Sequence, residues 1–197
     1  MKNFLAAFLS FTALTAFAAE KPLTTNFKVD PAATSIAWLG KKITGQHDGK
    51  ISAKTGTVSF VGDELTAGEV VVDMNTITCS DIPATDEYNA KLVGHLKSPD
   101  FFDVAKFPES KIFIKSAKKT ANGYKIKGDL TMIGQTQPVE FDAVIKKTDS
   151  SVSLNSTLVL DRTKWGLKYG SSNFFKGLGD KAINNEFNLT VSLNATK

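Results

Sequence analysis

Between Tyr124 and Met132 the chain alternates: Tyr124, Ile126, Leu130 and Met132 fall on one parity, with Gly128 among them, and Lys125, Lys127, Asp129 and Thr131 on the other. After Gly134 the pattern resumes, with Val139, Phe141, Ala143 and Ile145 set against Glu140, Asp142 and Lys146. Successive side chains on a strand point to opposite faces, so each run predicts a strand with one apolar and one polar side. The same count predicts strands at Ile36/Trp38, Val58/Phe60, Val70/Val72/Met74 and Ile112/Ile114, the last leaving Phe113 outward. Two more follow at Val152/Leu154/Leu158/Leu160 and Phe187/Leu189/Val191/Leu193. Asn122-Gly123 between two of these runs is a hairpin signal. About eight strands is the number at which a closed antiparallel barrel can hold one small ligand. A packed sandwich uses the same strands, so alternation alone leaves a filled core and an apolar pocket both open.

Two stretches depart from the strand period. Over residues 86–97, Tyr88, Leu92 and Leu96 recur every four positions, which predicts a short helix capped by Thr85 or Asp86 and stopped by Ser98-Pro99. Phe101 and Phe102 follow at once. A second short helical or loop insert is expected over 171–178, carrying Phe174 and Phe175. These two inserts are the expected lids of a barrel mouth. The first 18 residues stand apart. Lys2, the apolar run Phe4–Phe17 and the small residues of Ala16-Phe17-Ala18 predict a cleaved secretory signal, too short for a stable membrane anchor. Residues 19–197 then suffice for one domain with a substantial core.

Composition narrows the chemistry. The net charge is +4, and its lysines are spread along the chain, with pairs at Lys41-Lys42, Lys118-Lys119 and Lys146-Lys147 near strand ends. Nucleic-acid binding needs basic residues concentrated on one face, which is not seen; spread lysines blunt strand edges and give a mild attraction to anionic membranes. Cys79 is the only cysteine, which excludes an intrachain disulfide and leaves a free, buried or intermolecularly bridged thiol. His47 and His95 are the only histidines, and neither stands at a metal-motif spacing with a carboxylate. No nucleophile elbow or glycine-rich phosphate loop occurs. An enzyme is therefore not expected, nor a metal or cofactor. An enzyme on an apolar substrate using His47 or His95 is one alternative; an interaction or stress protein with a filled core is another. Phenylalanine is abundant, at 14 residues. These rings either fill a core or line a tube.

The order of motifs adds a resemblance. Gly45-Gln46-His47-Asp48-Gly49 is followed by Leu92-Val93-Gly94-His95-Leu96-Lys97-Ser98-Pro99-Asp100-Phe101-Phe102-Asp103. Gly128-Asp129-Leu130-Thr131-Met132-Ile133-Gly134 and Asp161-Arg162-Thr163-Lys164-Trp165-Gly166 come after it. Over roughly Phe27 to Ala195 this resembles the YceI-like family of exported polyisoprenoid-binding proteins. The resemblance implies an eight-stranded antiparallel, lipocalin-like barrel, a periplasmic or secreted location, and an apolar channel for an isoprenoid-tailed lipid such as a prenyl quinone or its precursor. The expected channel wall is Trp38, Phe60, Val70, Val72 and Met74, then Ile112, Ile114, Ile126, Leu130 and Met132, then Phe141, Leu158, Phe187 and Leu189. Leu92, Phe101, Phe102, Trp165 and Phe174 are expected to join it from the helix and loops. His47, His95, Arg162 and Lys168 are the head-group candidates, with Arg162 open to an alternative link to Asp161 or Asp180. Beside the long-chain lipid, the partners in view are a membrane surface, a membrane redox protein and a second copy of the chain.

Overall fold

The computed structural model describes residues 23–197, so the expected signal segment lies outside the described residues. The strands are β1 (Thr24–Val29), β2 (Ser35–Lys42), β3 (Gly45–Val61), β4 (Glu64–Asp73), β5 (Glu109–Thr120), β6 (Gly123–Met132), β7 (Gln135–Lys147), β8 (Ser151–Asp161) and β9 (Ile183–Thr196), with one α-helix, α1 (Glu87–Lys97). Every pairing is antiparallel. β4 to β9 follow one another in order, and β2 and β3 close the ring between β9 and β4. That is a closed barrel of eight positions.

β1 is the ninth range, and the alternation count passes over it. Only Phe27 and Val29 mark its inward face among Thr24, Thr25, Asn26 and Lys28. It pairs with the second half of β3 and, through Lys28 and Val29, with β9. The first half of β3 pairs with β2 instead. β1 and β2 thus share one barrel position, interrupted at residues 30–34, where the Asp30 carboxylate accepts from the Ala32 and Ala33 N–H groups.

The two ends differ in their connections. One end carries only the short links 62–63, 121–122 and 148–150. The hairpin signalled by Asn122-Gly123 is built one residue earlier, with Gly123 opening β6 at φ 144°. A Cβ there would run into the Ala143 carbonyl, so glycine is required. The other end carries the β2–β3 tip and the two long crossings 74–108 and 162–182.

The apolar interior follows the same division. At the end with short links Phe27, Val58, Phe60 and Ile126 are at most 1% exposed, with Leu65, Val152 and Ala195 around them. Phe27 and Phe60 meet edge to face, 5.8 Å between centroids, a favoured geometry for aromatic pairs. Helix α1 covers the other end. Asp86 caps it by accepting from the Tyr88 N–H, and no helix residue is fully buried. A four-residue spacing drifts about 40° per step around a helix of 3.6 residues per turn. Tyr88, expected on the inner face with Leu92 and Leu96, is accordingly exposed under the Lys91 ammonium. The second insert is a run of turns over 171–178 ending in a 3-10 turn, Gly179–Lys181, anchored by the fully buried Ser171.

Candidate functional site

Below α1 the barrel is hollow. A cavity of about 230 Å³ occupies the open half, walled by Ile36, Trp38 and Gly40 from β2, Val72 from β4, and Phe187 and Leu189 from β9. Leu92, Leu96, Phe101 and Phe102 roof it, and Met74, Leu130 and Met132 complete its sides. A second cavity of about 100 Å³ lies deeper, among Val70, Ile112, Ile114, Phe141, Leu154, Leu158 and Leu193. Ile36, Val72, Leu130 and Leu189 border both. The two spaces therefore meet at a waist of aliphatic side chains. The surface facing them is almost wholly carbon.

Four residues expected on the wall stand elsewhere. Phe60 and Ile126 point inward but lie in the solid floor beneath the deeper cavity. Trp165 is buried beside the cavity, fixed because its Nε1–H donates to the Leu130 carbonyl at 2.9 Å. Phe174 sits on the outside, half-exposed, with the Lys168 ammonium 4.9 Å from its ring centroid. Conversely, Ile77 and Leu167 reach the cavity from segments with no alternation to reveal them, and Ile183 does so from the start of β9, where Asn185 interrupts the apolar parity. Ile36, Leu154 and Leu193 share an inward parity with residues that were expected there.

The head-group candidates divide in the same way. His47 and Arg162 border the cavity. His95 faces the rim, edge-on against Phe101 and Tyr169 with Nε2 3.0 Å from Asp100. Lys168 is committed to Phe174.

His47 is held by a clamp along the edge of β3. Beyond Ser52, β3 has lost β4 as a neighbour. The segment after β4 covers this edge: the Thr78 N–H donates to the Lys50 carbonyl and the Ser80 N–H to the Asp48 carbonyl. Asp81 ends the clamp, accepting from the Asp48 N–H at 3.0 Å and lying 2.8 Å from His47 Nδ1. Gly49 makes this approach possible, since a Cβ there would overlap the Thr78 carbonyl. Burial pushes the Asp81 carboxyl up, but the hydrogen bonds from Asp48, His47 and Cys79 outweigh it and hold the group at about 2. Burial also raises the Cys79 thiol, which disfavours the thiolate.

Arg162 is 5% exposed. Its Nε donates to the Asn184 carbonyl at 3.0 Å, Nη1 to Leu167 at 2.6 Å and Nη2 to Ile183 at 3.1 Å. Neither Asp161 nor Asp180 pairs with it: Asp161 instead caps the 3-10 turn Arg162–Trp165 by accepting from the Thr163 N–H. Desolvation lowers the guanidinium pKa, and Asp161 partly offsets this. The side chain ties the strand β9 entry to the loop after β8 and leaves a positive charge beside the cavity.

The chain is matched by known proteins in sequence and in fold. The YceI-like domain model covers residues 27–195. The chain belongs to the YceI-like family. A UPF0312 protein of Photorhabdus laumondii is 35% identical over 130 residues, spanning 64% of each chain. A YceI protein of Salmonella newport is 31% identical over 148 residues, 72% of this chain and 69% of that one. The match to the Escherichia coli YceI protein spans 43% of the relative's length, so less than two thirds of the first relatives is covered. Among solved structures, BcnA of Burkholderia cenocepacia superposes with a TM-score of 0.66 at 17% identity, covering 85% of this chain and 99% of BcnA. A polyisoprenoid-binding domain from Saccharophagus degradans superposes at 0.58 with 10% identity, covering 86% and 97%. At such identities the YceI-like likeness is one of fold.

Proposed function

We propose that this chain binds the apolar tail of a lipid, isoprenoid or similar, inside the barrel and carries or stores it outside the cytoplasm. The supporting observation is the carbon-walled space of about 230 Å³ continuing into about 100 Å³ within a closed ring of strands. The family assignment and the polyisoprenoid-binding neighbour favour a prenyl tail over other apolar ligands. A filled core is a poorer reading, since the interior is hollow over its upper half.

The volume bounds the tail. An empty apolar cavity of ~150 Å³ accommodates one benzene, six carbons. In that proportion the two cavities hold about a dozen carbons, or two to three prenyl units. Burying a methylene is worth ~0.8 kcal/mol, so each five-carbon unit contributes at most ~4 kcal/mol before ordering costs. A longer prenyl quinone tail would thread its end inside and leave the remainder at the mouth. With walls of carbon, the polar head belongs at the rim, where Arg162 supplies a charge held by backbone carbonyls and in no ion pair among the described residues. His47 is the second head-group contact.

The experiment is extraction of the protein as purified from cells, mass spectrometry of the extract, and uptake of prenyl alcohols of increasing length. Stoichiometric prenyl lipid is expected, with affinity rising to about three units and flat beyond. Empty protein that takes up no prenyl compound of any length would defeat the reading.

A further inference from the structure

The open end also has an outer surface, and its composition differs from the rest of the barrel. Nine large apolar side chains are well exposed among the described residues, and five of them are at this end: Ile43 (66%), Tyr88 (62%), Tyr169 (43%), Phe174 (48%) and Phe175 (49%). The remaining four include Phe113, Val144 and Val159, which stand singly on three different wall strands. The five are not scattered. The Ile43 N–H donates to the Ala182 carbonyl at 3.4 Å, joining the β2–β3 tip to the 168–182 loop. Tyr169 packs on His95 and Phe101, 4.7 Å and 5.3 Å between centroids, joining that loop to the helix side. Tip, loop and helix form one continuous rim around the cavity mouth.

The charges on this rim differ as well. On the barrel wall Lys54, Lys111, Lys115, Lys125, Lys127 and Lys147 each face a carboxylate within 3.5 Å, whereas Lys28, Lys50, Lys118, Lys119 and Lys146 stand on wall strands without one among the described residues. On the tip and loop, Lys41, Lys42, Lys168, Lys176 and Lys181 are exposed. None of these five is in an ion pair among the described residues. Asp180 and Glu186 are the acidic groups among them. The helix side of the rim adds Asp86, Glu87 and Asp100, of which Glu87 pairs with Lys91 and Asp100 with His95, so these unpaired cations lie on the tip and loop. Lys168 lies over the Phe174 ring, an aliphatic stem along an aromatic face with the ammonium outward.

We propose that this rim docks on an anionic bilayer, bringing the cavity mouth to the membrane so that a tail passes between them without crossing water. Half-exposed aromatic rings beside uncompensated lysines suit the boundary of acyl chains and anionic head groups. The occupant argued for is a lipid surface, because exposed apolar rings beside cations without carboxylate partners match both the acyl boundary and the anionic head groups. Lys41 and Lys42 also border the cavity, whereas Phe174, Phe175, Lys168 and Lys176 do not, so changes at these four test the docking separately from the lipid reading above.

The test is flotation of the purified chain with phosphatidylcholine vesicles, with and without phosphatidylglycerol. All variants share the same N-terminus, so any contribution from Phe4–Phe17 cancels. Binding is expected on anionic vesicles, weakening with salt. Phe174→Ser with Phe175→Ser should weaken it by on the order of tenfold or more. Lys168→Gln with Lys176→Gln should cost about fivefold per lysine on anionic vesicles only. Phe113→Ser on the wall should change nothing, and all variants should take up solubilised prenyl alcohol as the parent does. Equal flotation of the Phe174/Phe175 variant and the parent would overturn the proposal. So would equal binding to both vesicle types, or a change of oligomeric state in place of vesicle binding, which would make the rim a protein contact.

Discussion

Gly68 on β4 and Gly40 on β2 both lie on the inward parity of their strands, yet they meet opposite surroundings. A Cβ on Gly68 would come 3.0 Å from Ile114 Cδ1 and 3.3 Å from Val58 Cγ1, so its neighbours already fill the space. A Cβ on Gly40 would meet nothing within 4 Å. One barrel, built throughout from the same alternating strands, is a core at one end and a container at the other. The closed end uses β1 as an added source of inward side chains, Phe27 and Val29, under short turns. The open end replaces those turns with long crossings whose side chains roof the space without filling it. Stability and capacity are therefore housed at different heights, and substitutions should separate them.

The largest effect is expected at the closed end. Phe27 is fully buried and paired with Phe60. Phe27→Ala removes a ring from packed surroundings and should cost about 3–5 kcal/mol, read as a shift in the denaturant midpoint. If the chain still folds, the vacated volume adjoins the deeper cavity floor, and the preferred prenyl length should rise by about one unit. A loss below ~1 kcal/mol would mean that the floor is loosely packed and that the contrast between the ends is false.

A smaller effect belongs to the clamp that borders the open end. Asp81 is held at about 2 in the folded chain against an ordinary 3.8. A depressed carboxyl stabilises the fold above its unfolded pKa and loses that contribution as the pH falls through the folded one. The window is thus from about pH 4 down to about pH 2. The full shift corresponds to roughly 2 kcal/mol, and the 27% side-chain exposure reduces it to about 1–2 kcal/mol. Asp81→Asn should lose this much at pH 7, and its stability curve should converge on that of the parent near pH 2. Parallel curves through the window would show that the Asp81 hydrogen bonds do not hold the β3 edge.

What could be read from the chain was the direction of side chains, because direction is local. Ile126, Leu130 and Met132 alternate on β6, and all three point inward. Whether an inward side chain borders a void depends on what crosses from the opposite wall, which no single strand records. Leu130 borders both cavities while Ile126, four residues before it, is sealed in the floor. Trp165 was legible as apolar, but the carbonyl that fixes its indole belongs to a strand 35 residues away. Phe174 and Phe175 look like lid residues in sequence, yet the turns around buried Ser171 carry them outward. In the sequence, Asp161 and Asp180 are the acidic residues that Arg162 would be expected to pair with. Its actual partners are backbone carbonyls, which leave no mark in composition.

The smallest change in stability should accompany a complete change in capacity. Gly40→Leu adds four carbons where the wall has open space, on a backbone that needs no positive φ. In the proportion used above they occupy roughly 100 Å³, a large part of the 230 Å³ beneath the roof. Removing a glycine from a strand favours folding by ~0.5–1 kcal/mol. The variant should therefore melt at or slightly above the parent temperature while prenyl uptake falls at least tenfold. The same change at Gly68 would force a side chain into Ile114 and Val58 and should cost about 1–3 kcal/mol or more. Opposite signs for one substitution at two inward glycines would establish that the void is a built feature of the open end. Undiminished uptake by the Gly40 variant would place the ligand somewhere other than this cavity, because the leucine and the tail cannot occupy the same space.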